Sequence, residues 1–201
     1  MLSSISPLGE RARAARWGLT VTAYVVGSLL GGTAIGAVAG AVGAALPRTW
    51  LTSPAAVWAV VALLLVGLVL DLRSGSQGPP SWRRQVDEAW LARYRGWVYG
   101  LGFGFQLGLG VVTIVTSSTV YATLVLAALT GSVAAGALVG AVFGVARALP
   151  VLALRRVGDR GELHRLFAQL ERLRPGADAV ARGALVGAAV AVPVLVVAGG
   201  S

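Results

Sequence analysis

Ala55-Ala56-Val57-Trp58-Ala59-Val60-Val61-Ala62-Leu63-Leu64-Leu65-Val66-Gly67-Leu68-Val69-Leu70-Asp71-Leu72 is the stretch that decides the fold. Its one charge stands beside its end, and its one glycine is Gly67. A helix of about 18 residues rises roughly 27 Å, close to the ~30 Å of hydrocarbon in a bilayer. An amphipathic helix of a soluble domain would carry a polar stripe, and this one has none. The segment reads as a transmembrane helix suited to face lipid.

Working outward, the chain repeats this kind of run. Apolar segments lie at about 18–46, 55–72, 97–130, 132–153 and 178–199. The expected fold is all-α: a polytopic transmembrane helical bundle of about five spans, forming a single integral membrane domain over 1–201. Composition agrees, with 56% hydrophobic and 12% charged residues; soluble domains carry about 25% charge. The run from Gly18 is too long for a secretory h-region of about 7–15 residues, so it reads as an uncleaved first span.

The net charge of +9 comes from 17 basic residues, all arginine. No nucleic-acid motif accompanies them. They bracket the apolar runs instead: Arg11, Arg13 and Arg16 before the first, five in the 73–95 loop, and seven over 155–182. Only Arg48 falls in the 47–54 connection, and none near Gly131 and Ser132. Five spans put every arginine-rich segment on one side, as the positive-inside bias expects for a bacterial inner-membrane protein with a cytoplasmic N-terminus. The lipid bilayer is thus the first partner, and nucleic acid is not one. Trp17, Trp50 and Trp97 fall at expected span ends, where aromatic belts belong.

Segment 97–130 is too long for a simple crossing: 34 residues of helix would reach about 50 Å. One long or broken span preserves the charge rule; two spans, six in all, would violate it. Two short helices are expected at the cytoplasmic interface. One carries Trp82, Val86, Trp90 and Tyr94, and the other Leu163, Leu166, Phe167, Leu170 and Leu173, closed by Arg174-Pro175-Gly176. The two halves of the chain also share an order of basic segment, Trp-marked long span, short turn, second span and basic loop.

Glycine recurs every fourth residue at Gly32, Gly36 and Gly40; at Gly96, Gly100, Gly104 and Gly108; at Gly136, Gly140 and Gly144; and, with Ala191, at Gly183 and Gly187. Each set forms one helical face on which a neighbouring backbone packs closely. Four such faces imply a tight bundle, and any left over would dock a membrane-protein partner or a second copy.

Hydroxyl residues crowd the centre of the long segment, at Thr113, Thr116, Ser117, Ser118 and Thr119, with Gln106 two turns earlier. Ser and Thr bond preceding carbonyls and bend helices. An unwound stretch here would line a path for a small solute or ion; a continuous helix would use the hydroxyls between helices. Arg147 falls inside the fourth run, where a long side chain is expected to snorkel to the headgroups. Asp71 and Asp178 sit at span ends, which leaves no carboxylate within a span for a proton relay.

Enzyme signatures are missing. His164 is the single histidine, there is no cysteine, and the glycines of 100–110 lie in an apolar span and not after a soluble strand. No catalytic residue, metal ligand or cofactor is expected.

The stretch Gly96-Trp97-Val98-Tyr99-Gly100-Leu101-Gly102-Phe103-Gly104-Phe105-Gln106-Leu107-Gly108, running into the hydroxyl cluster and the next Gly-rich span, resembles bacterial membrane proteins of the cytochrome c biogenesis and thiol-disulfide interchange type, within the broader lysine-exporter-like superfamily. The likeness covers mainly 96–153. It implies a small two-repeat helical bundle that carries reductant or small solutes across an inner membrane. Such families use a cysteine in each half, and with none here no site residue carries over. The functional expectation is therefore a small-solute or ion transporter-like bundle, with a non-transporting assembly subunit as the competing reading.

Overall fold

The computed structural model describes residues 7, 16–51, 53–74, 94–110 and 118–199. Six helices carry the architecture: α1 (Trp17–Ala45), α2 (Pro54–Ser74), α3 (Gly96–Leu109), α4 (Thr119–Leu129), α5 (Val133–Ala148) and α6 (Arg160–Gly199). No strand occurs among the described residues. Four helical stretches are long and apolar enough to cross a bilayer: α1, α2, α5 with its continuation to Ala153, and the apolar part of α6.

Residue pairing fixes how the rest fits. Gly100 lies against Thr20, Gly104 against Tyr24 and Gly108 against Ser28, so α3 runs parallel to α1. Further along, Gly43 of α1 meets Ala128 of α4. The two short helices therefore advance in the same sense along one side of α1. With 14 and 11 residues they supply about 37 Å of helix between them, about the length that one bilayer crossing needs. The 97–130 segment is thus not one continuous helix: α3 ends at Gly110 and α4 starts after Ser118. α5 then returns antiparallel, with Gly136 against Gly36, Gly140 against Gly32 and Gly144 against Ser28.

The glycine stripes explain this seam. A Cβ at Gly104 would run into the Tyr24 carbonyl oxygen, and one at Gly140 into that of Gly32. Lipid tails are as apolar as leucine, so helices in a bilayer associate by close packing, and backbones approach this near only where side chains are absent. The fourth stripe behaves differently: nothing described lies within 4 Å of a Cβ placed on Gly183 or Gly187.

At the arginine-rich end, Val21, Tyr24, Tyr99, Phe103, Val151 and Leu154 form a buried cluster, with Leu163 and Leu166 packed on it. Leu163 and Leu166 therefore rest on the bundle's end, while Phe167 and Leu173 of the same stripe stay exposed. Its helix does not stop at Pro175, as the Arg-Pro-Gly signal suggested. α6 continues through Pro175 and Pro193 for 40 residues, so one long helix replaces a separate interfacial helix and span. Pro175 removes one N–H, but its turn is exposed, where water can take the freed carbonyl. Asp159 caps the start by accepting from the Glu162 N–H at 2.7 Å, and Glu162 reaches back to the Gly158 N–H. The helix expected around Trp82, Val86 and Trp90 lies outside the described residues.

Candidate functional site

The site is built around the interruption. α3 ends at Gly110, whose φ of 74° is a left-handed conformation that favours glycine. The position is also closed on the side-chain side. A Cβ would come within 3.0 Å of Val120 Cγ1, and within 3.2 Å of both Phe143 Cε1 and Arg147 Nη1. α4 begins after Ser118, a buried residue held by a different helix. The Asp71 carboxylate of α2 accepts from the Ser118 backbone N–H at 2.8 and 3.1 Å and from its hydroxyl at 2.8 Å. A negative charge thus sits at the positive end of the α4 dipole, on backbone that the interruption would otherwise leave short of acceptors.

Of the residues proposed from sequence for a solute path, Ser118 is buried at the start of α4. Thr119 follows it, half-buried, and its carbonyl accepts from the Thr123 hydroxyl at 2.8 Å. Gln106 lies half-buried on α3, one turn before the break. Thr113, Thr116 and Ser117 lie outside the described residues.

Two residues gain roles that sequence reasoning did not give them. Asp71 was set aside as a span-end charge; its partner stands 47 positions away, and no local pattern announces that pairing. Arg147 turns one guanidinium nitrogen into the bundle. Side chains tilt toward the N-terminus of their own helix, which for α5 is the end far from the arginine-rich loops. The guanidinium accordingly lies 5.4 Å from the ring centroid of Phe143, four residues earlier, and its Nη1 is sealed from the surface beside Gly110. The i, i−4 spacing to an aromatic residue, together with the helix direction, was the available signal.

On the other side of Ser118, a groove of about 490 Å³ opens between α2, α4 and α6, lined by Leu64, Gly67, Leu70, Tyr121 and Leu185. It is mostly apolar, and Ser118 is among the residues that line it.

The model of the family described as cytochrome C biogenesis protein transmembrane region matches residues 2–170. Methylamine utilization protein MauF of Methylophilus methylotrophus is 33% identical over 157 residues, covering 75% of this chain and 53% of that protein. The protein of the same name from Paracoccus versutus is 32% identical over 160 residues, covering 75% and 55%. The one from Paracoccus denitrificans is 30% identical over 158 residues, covering 75% and 54%. The chain spans about half the length of these curated relatives. No solved structure matches it.

Proposed function

The chain belongs to the cytochrome c biogenesis protein transmembrane region family, and from that premise we propose that it is a translocation module moving a small polar solute across the bacterial inner membrane. The observation that carries the reading is the broken span. Two half-helices in series along α1 end at Gly110 and restart at Ser118, with a carboxylate on the restart and a guanidinium beside the end. Interrupted helices expose backbone polar groups inside a bundle, where a solute can replace water as their partner. With no cysteine, the thiol exchange implied by the resemblance has no residue in this chain to perform it. What the chain retains is a bundle with a polar interruption. The N-terminus is assigned to the cytoplasm by the arginine distribution.

The test is initial-rate uptake into proteoliposomes of lactate, glycine and methylammonium, one solute of each charge class, against protein-free liposomes. The expected result is protein-dependent uptake of at least one, abolished by Thr116→Val combined with Ser117→Ala. Undiminished uptake in the double variant would remove the break from the path.

A second reading is favoured by the open face at Gly183 and Gly187, with exposed Val180, Val186 and Val190 around it. As an assembly subunit, the chain would dock another membrane protein there, in a biogenesis step of the kind the relatives' name associates with methylamine utilization. Such a subunit co-purifies with its partner and moves no solute.

A further inference from the structure

At the start of α6 two acidic side chains are engaged by backbone, and two arginines beside them are left without a counter-charge. Asp159 accepts from the Glu162 N–H, and the Glu162 carboxylate accepts from the Gly158 N–H, each at 2.7 Å. Glu162 therefore does not pair with Arg165, the partner that i, i+3 spacing would offer it. Among the described residues, neither Arg155 nor Arg165 has a carboxylate partner. Both side chains are exposed, and both line a cleft of about 500 Å³ between the end of α5 and the start of α6. Arg155 stands on the 3₁₀ turn Leu154–Arg156 in the connection between those helices. Gln169 also lines the cleft, one turn beyond Arg165 on the same face. Leu152, Val157 and Leu166 make its apolar side.

We propose that this cleft binds the headgroup of a net-anionic glycerophospholipid, whose phosphodiester is held between Arg155 and Arg165. Depth is the first argument. The stretch Val133–Ala153 is long and apolar enough to cross a bilayer, so residues just past Ala153 stand at headgroup level. Leu152 lines the cleft, and exposed Leu149 lies about one turn earlier on the same face, deeper in the bilayer. An acyl chain would run along that face while its headgroup stays in the cleft. Charge is the second argument. Two arginines against the one Glu162 carboxylate leave the cleft a single positive charge, which one phosphodiester balances. A guanidinium fork matches two oxygens of one phosphate, and the volume suits a small polar group. The Gln169 amide can meet hydroxyls of the headgroup. A bound lipid would tie the start of α6 to the end of α5. This site is independent of the translocation reading, and either stands without the other.

The experiment uses the full chain, stripped of lipid, in a neutral maltoside detergent at constant ionic strength. Dioctanoyl phosphatidylglycerol is titrated, with the thermal midpoint and lipid retention in native mass spectrometry as readouts. The phosphatidylcholine and phosphatidylethanolamine of equal chain length and free glycerol phosphate are the comparisons. Phosphatidylglycerol should give a saturable rise in the midpoint, because a ligand of the folded state stabilises it; the three comparisons should not. Arg155→Gln combined with Arg165→Gln should raise the half-saturating concentration about 10- to 30-fold. Arg172→Gln with Arg174→Gln removes the same charge from exposed positions of α6 outside the cleft, and should shift it less than about 3-fold. Equal shifts in the two double variants would reduce the binding to diffuse attraction and overturn the site. An equal response to phosphatidylcholine or phosphatidylethanolamine overturns it as well. So does an equal response to glycerol phosphate, which would make the occupant a water-soluble anion. Should the cleft double variant fail to fold, unchanged half-saturation in both single variants overturns the proposal, and a smaller shift in each supports it.

Discussion

Along α1 the helices meet backbone to backbone, whereas α2, α4 and α6 meet through Val61, Leu64, Ala122, Leu185 and Ala189 and leave a groove between them. The difference follows from glycine placement. On the α1 seam, stripes from three helices face one another, and each carbonyl oxygen occupies the space of an absent side chain. On the other side, branched side chains hold the helices apart and can change rotamer without moving a backbone. One half of the bundle is therefore a rigid frame and the other an adjustable one. The broken span belongs to both: α3 is locked into the seam, while α4 also borders the groove.

The largest expected effect breaks that contrast directly. Gly104→Leu or Gly140→Leu places a side chain where the Tyr24 or Gly32 carbonyl now sits. Overpacking costs about 1–3 kcal/mol even where side chains can shift, and more against backbone. We expect loss of monodisperse protein in detergent size-exclusion runs. Gly183→Leu and Gly187→Leu, with nothing described within 4 Å, should leave yield and thermal midpoint unchanged. Equal behaviour of the two pairs would mean that glycine spacing does not distinguish seam from surface.

The seam was legible in the sequence because its signal is periodic and local: Gly at every fourth position can be read without knowing the partner. The same periodicity overreached at Gly183 and Gly187, since spacing defines a face but not what covers it. The break at 110–118 was foreshadowed by the length of 97–130 and its hydroxyl cluster. The chemistry around it was not. Asp71 and Arg147 lie on helices remote in sequence from the break, and their roles depend on the register of α2 and α5 against it. Pro175 misled for a related reason: a stop signal is a local preference, and α6 runs through it.

A middle-sized effect tests how the adjustable side holds the restart of the broken span. Asp71→Ala removes both the acceptor for Ser118 and the charge at the α4 N-terminus, at an expected cost of about 1–2 kcal/mol. The loss should be local. Hydrogen exchange should accelerate in the first turn of α4, around 119–123, while amides of α1 and α3 in the seam keep their protection. Acceleration that spread equally into the seam would show the two sides to be one cooperative unit.

The smallest effect asks whether the seam depends on polar bonds as well as on close packing. Ser28 is fully buried, and its hydroxyl donates to the Gly144 carbonyl across the α1–α5 contact at 2.7 Å. Thr33 makes a bond of equal length, but to Leu29 on its own helix, where the backbone already has its ladder partner. Interhelical hydrogen bonds in membranes are worth about 0.6 kcal/mol on average. Ser28→Ala should therefore lower the thermal midpoint slightly and reproducibly, and Thr33→Ala should not move it. A null result for both would assign the seam to backbone packing alone, and the contrast with the groove side would then rest entirely on where glycine stands.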